Sequence, residues 1–157
     1  MSPSLVWANA GVGAGASLIE GSQRAIEWAV SVNILSVAWT AQAFAPALIA
    51  MDGPRHFGVT ASSASITDVT GPYTLYAASK QGTAGFAEAL VAELSPQGVG
   101  VTILYPGLVN TNIWDAARAR PERFGGVSRM PESRGERWRN APGPEVLIVP
   151  VIDTIAA

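Results

Sequence analysis

Short apolar runs alternate along this chain with apolar stretches of helical length. Leu5-Val6-Trp7-Ala8 is the first run, closed by Asn9-Ala10-Gly11 and a loop that also holds Gly13 and Gly15. A brief apolar run bounded by turn residues reads as a buried strand. A long helix is expected to start near Ser22, an N-cap residue type, and to run to about Met51. Asp52-Gly53-Pro54 breaks it. Phe57–Ala61 is the second expected strand, followed by the small polar cluster Ser62-Ser63-Ala64-Ser65. The second helix is expected from about Tyr73 to Leu94, stopping at Ser95-Pro96-Gln97-Gly98. Its middle holds Ala77, Ala78, Ser79, Gly82, Ala84 and Gly85, residues small enough to allow close packing. Val99–Tyr105 is the third strand, ended by Pro106-Gly107. Strand, helix, strand, helix, strand is the signature of an α/β fold, a parallel sheet joined by right-handed crossovers.

Beyond Trp114 the pattern changes. Residues 115–140 are rich in arginine, with Pro121, Gly125, Gly126 and Pro131 among the charges. Such a composition reads first as a solvated excursion over residues 112–140, and second as a lid beside the carboxyl ends of the strands. Pro144-Glu145 then opens a short apolar stretch to Ala157, expected to be helical despite Pro150. No internal repeat is visible, and 157 residues with 48% hydrophobic composition imply one domain.

Charge and composition narrow the functional classes. A formal net charge of −2 gives no general reason to expect a nucleic-acid partner, and acidic residues interrupt the arginines of 115–140. There is no cysteine, so disulfides and thiolate chemistry are excluded. The sole histidine, His56, cannot by itself make a histidine-rich metal site, and no metal is expected. The start, Met-Ser-Pro-Ser-Leu-Val, lacks the pattern of a signal peptide, which makes a cytoplasmic location the simplest expectation. Trp28 to Met51 contains no charge and is long enough to span a bilayer. Ser31, Asn33, Ser36, Thr40, Gln42 and Pro46 within it favour instead a soluble helix covered on most sides, with no membrane partner.

The candidate chemistry centres on Tyr76 and Lys80. Positions i and i+4 share a helix face, so phenol and ammonium can address one site. A free tyrosine, with a pKa of about 10, is a poor base near neutrality. A neighbouring ammonium favours the phenolate and suits the pair to moving a proton at an alcohol oxygen. Lys80 is also the only lysine in the chain. The spacing alone is weak, since such pairs are common on helix surfaces. Ser63, thirteen residues before Tyr76, follows the expected second strand at the edge where open α/β sheets bind ligands. Asn33 lies deep in the long uncharged helix, where a buried amide satisfied by backbone is the plain alternative.

In their order and intervals these elements resemble the short-chain dehydrogenase/reductase family, over roughly residues 5–126 and more faintly to the end. The resemblance implies a partial Rossmann-type, doubly wound parallel sheet of about three strands with flanking long helices. It implies hydride transfer between NAD or NADP and a small-molecule alcohol/carbonyl pair. Tyr76 would be the general acid/base, Ser63 would polarise the substrate oxygen, and Lys80 would lower the tyrosine pKa and hydrogen-bond the nicotinamide ribose. Asn33 would connect the proton relay to solvent. Asn9, Ala10 and Gly11 look like the element beside the adenosine portion. Pro106, Gly107, Val109 and Thr111 resemble the turn that, with Tyr76 and Lys80, holds the nicotinamide. The two long helices match those that pair across the family's dimer, so a homo-oligomer is expected.

The same resemblance exposes gaps. The family's glycine-rich phosphate turn has no counterpart here, and the spacing of Gly11, Gly13 and Gly15 does not supply one. Cofactor binding by this chain, its stability and the choice of NAD over NADP are therefore left open. An exposed apolar edge at Leu5–Ala8 would invite self-association. Two readings stand: an oxidoreductase with a Tyr/Lys/Ser/Asn site, or an incomplete, non-catalytic fragment or interaction module of that family.

Overall fold

The computed structural model describes residues 3–68, 71–129 and 132–156. Met1-Ser2, Pro131 and Ala157 lie outside them. Three strands, β1 (Leu5–Ala8), β2 (His56–Thr60) and β3 (Gly100–Leu104), form one parallel sheet in the order β1-β2-β3. Leu5 pairs with His56 and His56 with Gly100, so the strands run level. The second and third strands are shorter or earlier than the sequence suggests: β2 begins and ends one residue before Phe57–Ala61. That slip matters at the site.

The first crossover is one long helical run with a change of winding inside it. Helix α1 (Gln23–Ala29) opens on Ser22, whose hydroxyl accepts from the Ala25 amide at 3.2 Å, as the sequence implied. A π-helical turn follows at Val30–Leu35, and α2 (Ser36–Ile49) resumes the α-helix. The hydroxyls of Ser36 and Thr40 turn back on the carbonyls of Val32 and Ser36, which satisfies polar groups inside an apolar segment. Gln23–Ile49 is long and apolar enough to cross a bilayer. Here Val37, Ala41 and Leu48 are buried in a core shared with the sheet.

The second crossover is α3 (Thr74–Leu94), entered through a 3-10 turn at Gly71–Tyr73. It ends in a 3-10 turn closed by Gly98, whose φ of +74° is the left-handed conformation that glycine adopts freely. Helices α2 and α3 lie together on one face of the sheet. Val6 and Ala8 of β1 and Phe57 and Val59 of β2 meet Val37, Ala41, Leu48, Ala87 and Leu94 there. Period-2 alternation along the strands and small residues on α3 thus build one core. Gly82 lets α3 approach the π-turn: a Cβ there would stand 2.5 Å from Ile34 Cδ1. Gly85 has open space instead, so its small size is not used for packing.

On the opposite face Trp7 lies over Gly58, and its indole Nε1 donates to Thr60 Oγ1 at 2.8 Å. After β3, residues 112–140 are not a patternless excursion. They hold 3-10 turns at Asn112–Ala119 and Glu122–Phe124 and a helix, α4 (Glu132–Arg139). A 3-10 turn at Pro144–Leu147 leads into α5 (Ile148–Ala156), which contacts β3.

The Trp7–Gly58 contact generates a test. A Cβ on Gly58 would fall 2.1 Å from Trp7 Cε3, on a ring held by its own hydrogen bond. Gly58→Ala is expected to destabilise the chain by about 1–3 kcal/mol through overpacking, read as a lower urea midpoint at unchanged slope.

Candidate active site

The carboxyl ends of the three strands open into three loops: 9–21 after β1, 61–73 after β2 and 105–111 after β3. Every candidate residue sits on these loops or on the two helices that cross beneath them. The loops are tied together by backbone: Ala61 N donates to Leu104 O, and Ser63 N to Pro106 O, both at 2.8 Å.

Asn33 is fully buried, at 0% exposure, on the π-turn. Its Oδ1 accepts from Val12 N at 2.8 Å, and its Nδ2 donates to Val12 O at 3.1 Å and to Ser79 Oγ at 2.8 Å. Its backbone carbonyl accepts from Thr83 Oγ1 at 2.7 Å. The side chain is therefore spent on joining the first loop to α3. In this geometry Asn33 is a clamp between the two. A π-turn recurs where a helix must present one such group.

Helix α3 aligns Tyr76, Ser79, Lys80 and Thr83 at spacings of three and four, which share one face. Lys80 is 2% exposed, and its Nζ donates to the Thr60 carbonyl at the end of β2, at 2.9 Å. An ammonium carries three N–H donors, so two have no acceptor among the described residues. Burial lowers its pKa to about 8. Ser65 Oγ holds the helix in place by donating to the Lys80 carbonyl at 2.8 Å. Gly11 faces this group: a Cβ there would stand 3.2 Å from Lys80 Nζ and 3.6 Å from Asn33 Oδ1. The backbone at Gly11 thus leaves the ammonium approachable.

Tyr76 is half-buried, and its phenol is pushed above its ordinary value by burial, opposed by a hydrogen bond from Ser62. One expectation is corrected here. The net shift is upward, because loss of hydration outweighs the favourable contact. The serine that contacts the phenol is Ser62, the neighbour of the expected Ser63. Because β2 ends at Thr60, the residue two beyond it is Ser62, which remains extended (φ −168°, ψ 154°) and caps the next turn. Ser63 instead supplies backbone: its carbonyl accepts from Ile66 N, Thr67 N and Thr67 Oγ1.

The remaining predicted residues line the rim. Asn9 Oδ1 accepts from Thr60 Oγ1 at 2.8 Å, Ala10 is exposed, and Gly107 has open space above it. Pro106 anchors Ser63, Val109 is buried, and Thr111 caps the following turn through Ile113 N at 3.5 Å. Ser79 and Thr83, which set Asn33, were not singled out from sequence, although their spacing from Tyr76 carried the signal.

Comparison with known proteins decides the family. The family model described as short chain dehydrogenase matches residues 4–122. The chain belongs to the short-chain dehydrogenase family. Retinol dehydrogenase 10 of Homo sapiens is 35% identical over 117 residues, which is 73% of this chain and 34% of that protein. The Xenopus tropicalis protein of that name is 36% identical over the same shares. A short chain dehydrogenase/reductase from Burkholderia phymatum, solved in complex with NAD, superposes with a TM-score of 0.89 at 30% identity. It covers 99% of this chain, and 58% of that chain is matched. An alcohol dehydrogenase from Thermococcus sibiricus, complexed with 5-hydroxy-NADP, gives a TM-score of 0.68 at 25% identity over 96% of this chain and 57% of its own. This short-chain dehydrogenase chain therefore spans about one third of the curated relatives and rather more than half of these structures.

The buried ammonium has a thermodynamic consequence. Lys80 holds its proton less tightly when folded, so between about pH 8 and the unfolded value of 10.5 the unfolded chain binds more protons. Stability accordingly rises with pH through that window, by about 2 kcal/mol between pH 8 and 10. Lys80→Met is expected to flatten this rise and to be the more stable chain at pH 7, as measured by urea unfolding at several pH values.

Proposed function

We propose that this chain carries the proton-transfer half of an NAD(P)-dependent oxidoreductase acting on an alcohol/carbonyl pair. The observation that carries the reading is the Lys80 ammonium, buried and with two donors unused, one helical turn from a Tyr76 phenol paired with a serine hydroxyl. A buried cation with free N–H groups requires compensation, and hydroxyl oxygens of a sugar would supply it. The approachable backbone at Gly11 and the open space over Gly107 fit the nicotinamide side of such a cofactor. A nicotinamide, when bound, supplies or accepts the hydride. The Burkholderia relative solved with NAD and the Thermococcus enzyme solved with an NADP derivative support this cofactor class. Both NAD and NADP remain within the reading.

The residues of this chain would manage the oxygen and its proton. Ser62 would donate to the substrate oxygen and fix its direction. Tyr76 would give its phenolic proton to that oxygen in reduction and take it back in oxidation. A phenol raised by burial stays protonated near neutrality and so carries the proton that carbonyl reduction needs. Lys80 would favour the phenolate left behind and hold the cofactor sugar. Asn33, Ser79 and Thr83 would keep the tyrosine helix and the Val12 loop in register. An apolar groove of about 660 Å³ between α2 and α3, rimmed by Phe86 and Ile49, supports association with a second copy. The cytoplasmic location expected from sequence belongs with this proposal.

A second reading rests on coverage. With 58% of the Burkholderia chain matched, the described residues supply one side of a dinucleotide site. The chain would then be a non-catalytic fragment until completed. Titration with NADH and NADPH, followed by nicotinamide fluorescence, separates the two. The oxidoreductase reading predicts saturable binding weakened about ten-fold or more by Lys80→Ala, the scale of a charge-assisted hydrogen bond. No saturation at millimolar cofactor supports the fragment reading. Where turnover of an alcohol is detected, Tyr76→Phe is expected to lower kcat by about 10²–10⁴, with Ser62→Ala costing more than Ser63→Ala.

A further inference from the structure

A second pocket lies beside this site, between the 13–16 loop, α1 and the 112–128 lid, with a volume of about 110 Å³. Its walls include Gly13, Ala14, Ala16, Trp28, Trp114 and Arg120. Ala14 and Ala16 also belong to the apolar cluster on which Tyr76 packs, so the pocket borders the surroundings of that residue. The lid is seated closely: a Cβ on Gly13 would stand 2.7 Å from the Ile113 carbonyl oxygen.

Arg120 gives the pocket its chemistry. Its guanidinium lies over the Trp28 ring, 5.6 Å from the centroid, and its Nε donates to the Gly126 carbonyl at 2.8 Å. Indole and backbone fix the side chain, while its two terminal nitrogens have no acceptor among the described residues. The stem of Arg24 of α1 passes the same glycine turn. Measured from a Cβ on Gly125, Arg120 Nη2 is at 3.8 Å and Arg24 Cδ at 4.0 Å. Neither arginine is within ion-pair distance of a carboxylate among the described residues. Glu27 of α1 accepts from Gln23 Nε2 at 2.9 Å, and Glu122 lies against Gly126, the residue whose carbonyl Arg120 holds. A guanidinium fork pre-positioned on an aromatic surface, with free terminal donors, matches a carboxylate.

We propose that this pocket binds the carboxylate end of an apolar-bodied acid, which is the remote end of the substrate. Its role as a substrate pocket rests on the oxidoreductase reading above; its affinity for carboxylates does not. The small volume admits a head group or a single flat ring against Trp28 and Trp114. The alcohol or carbonyl of such a substrate lies toward Tyr76, and Arg120 discriminates acids from their neutral analogues.

Benzoate is the probe, and the indole N–H resonances of the five tryptophans are the readout in the uniformly labelled chain. The expected result is saturable movement of the Trp28 and Trp114 signals with benzoate. Benzamide, its neutral isostere, should bind roughly ten- to a hundred-fold more weakly. Arg120→Met should weaken benzoate to the level of benzamide, the exposed Arg24→Met should weaken it less, and Arg137→Met should leave it unchanged. The comparison of benzoate with benzamide on the unaltered chain needs no variant and holds even if Arg120→Met fails to fold. Equal affinity for the two probes, or no saturation with benzoate, overturns the proposal and leaves the cofactor reading standing. Inorganic phosphate moving the same signals at lower concentration than benzoate overturns the assignment to a carboxylate. Failure of NADH to bind while benzoate binds overturns the oxidoreductase reading alone.

Discussion

The Asn33 carboxamide joins three parts of the chain that no strand pairing connects. Its oxygen and nitrogen close on the Val12 peptide, its nitrogen reaches Ser79 on α3, and its own backbone carbonyl receives Thr83. A carboxamide offers two donors and two acceptor sites, and at 0% exposure unsatisfied ones would be costly. Nearly all of them are used. The π-turn around Asn33 is the local consequence, since the added residue per turn is what lets the side chain meet both partners. Gly82 is the other consequence, because α3 must come within contact of Ile34 for those bonds to form. Position of Tyr76 and Lys80 follows from position of Ser79 and Thr83 on the same helix.

The lysine stands in a different energetic class. Its ammonium is buried with one carbonyl partner, and the depressed pKa expresses an unfavourable balance between lost hydration and one hydrogen bond. The fold tolerates this because the rest of α3 buries apolar side chains, Ala87 and Leu94 against the sheet and α2 and Leu75 against Ala14 and Ala29. Tyr76 shows the same pattern in milder form, raised by burial and only partly relieved by Ser62. Both shifts come first from lost hydration, and both oppose the charged form of the group.

The hydrophobic pattern read the architecture well because each strand is short, apolar and bounded by glycine, proline or serine. β1 matched its expected limits, and the Ser22 cap marked the start of the first helix. β2 lies one residue earlier than its expected limits, and Ser62, next to the expected Ser63, contacts the tyrosine. Alternation could not fix that register: β2 is the central strand, Phe57, Gly58 and Val59 are all buried, and a strand covered on both faces loses its two-residue period. The resemblance to the family supplied Lys80, Tyr76 and Asn33, but not the occupation of Asn33 by Val12, which depends on a loop twenty-one residues away. The lid was illegible for another reason. Its arginines read as solvent-facing charge, whereas Arg120 and Arg139 lie over Trp28 and Trp114, contacts between distant segments that no local period announces.

Two cationic groups with free donors are held by this part of the chain, although the chain as a whole carries a net charge of −2. Lys80 lies on α3 against the end of β2, and Arg120 lies after β3 over Trp28. Overall charge says little about such a site, because the field within a few ångströms is set by the nearest groups and by how far water is excluded. Lys80 and the arginines also differ in how they are held. The ammonium is a buried point charge whose free donors can turn toward hydroxyls, whereas Arg120 is a planar fork fixed by an indole and a carbonyl. A flexible point charge suits a sugar bound in one cofactor orientation; a fixed fork suits a ligand chosen by shape. The two positions thus differ in the ligand geometry that each could meet, hydroxyls at Lys80 and a planar group at Arg120.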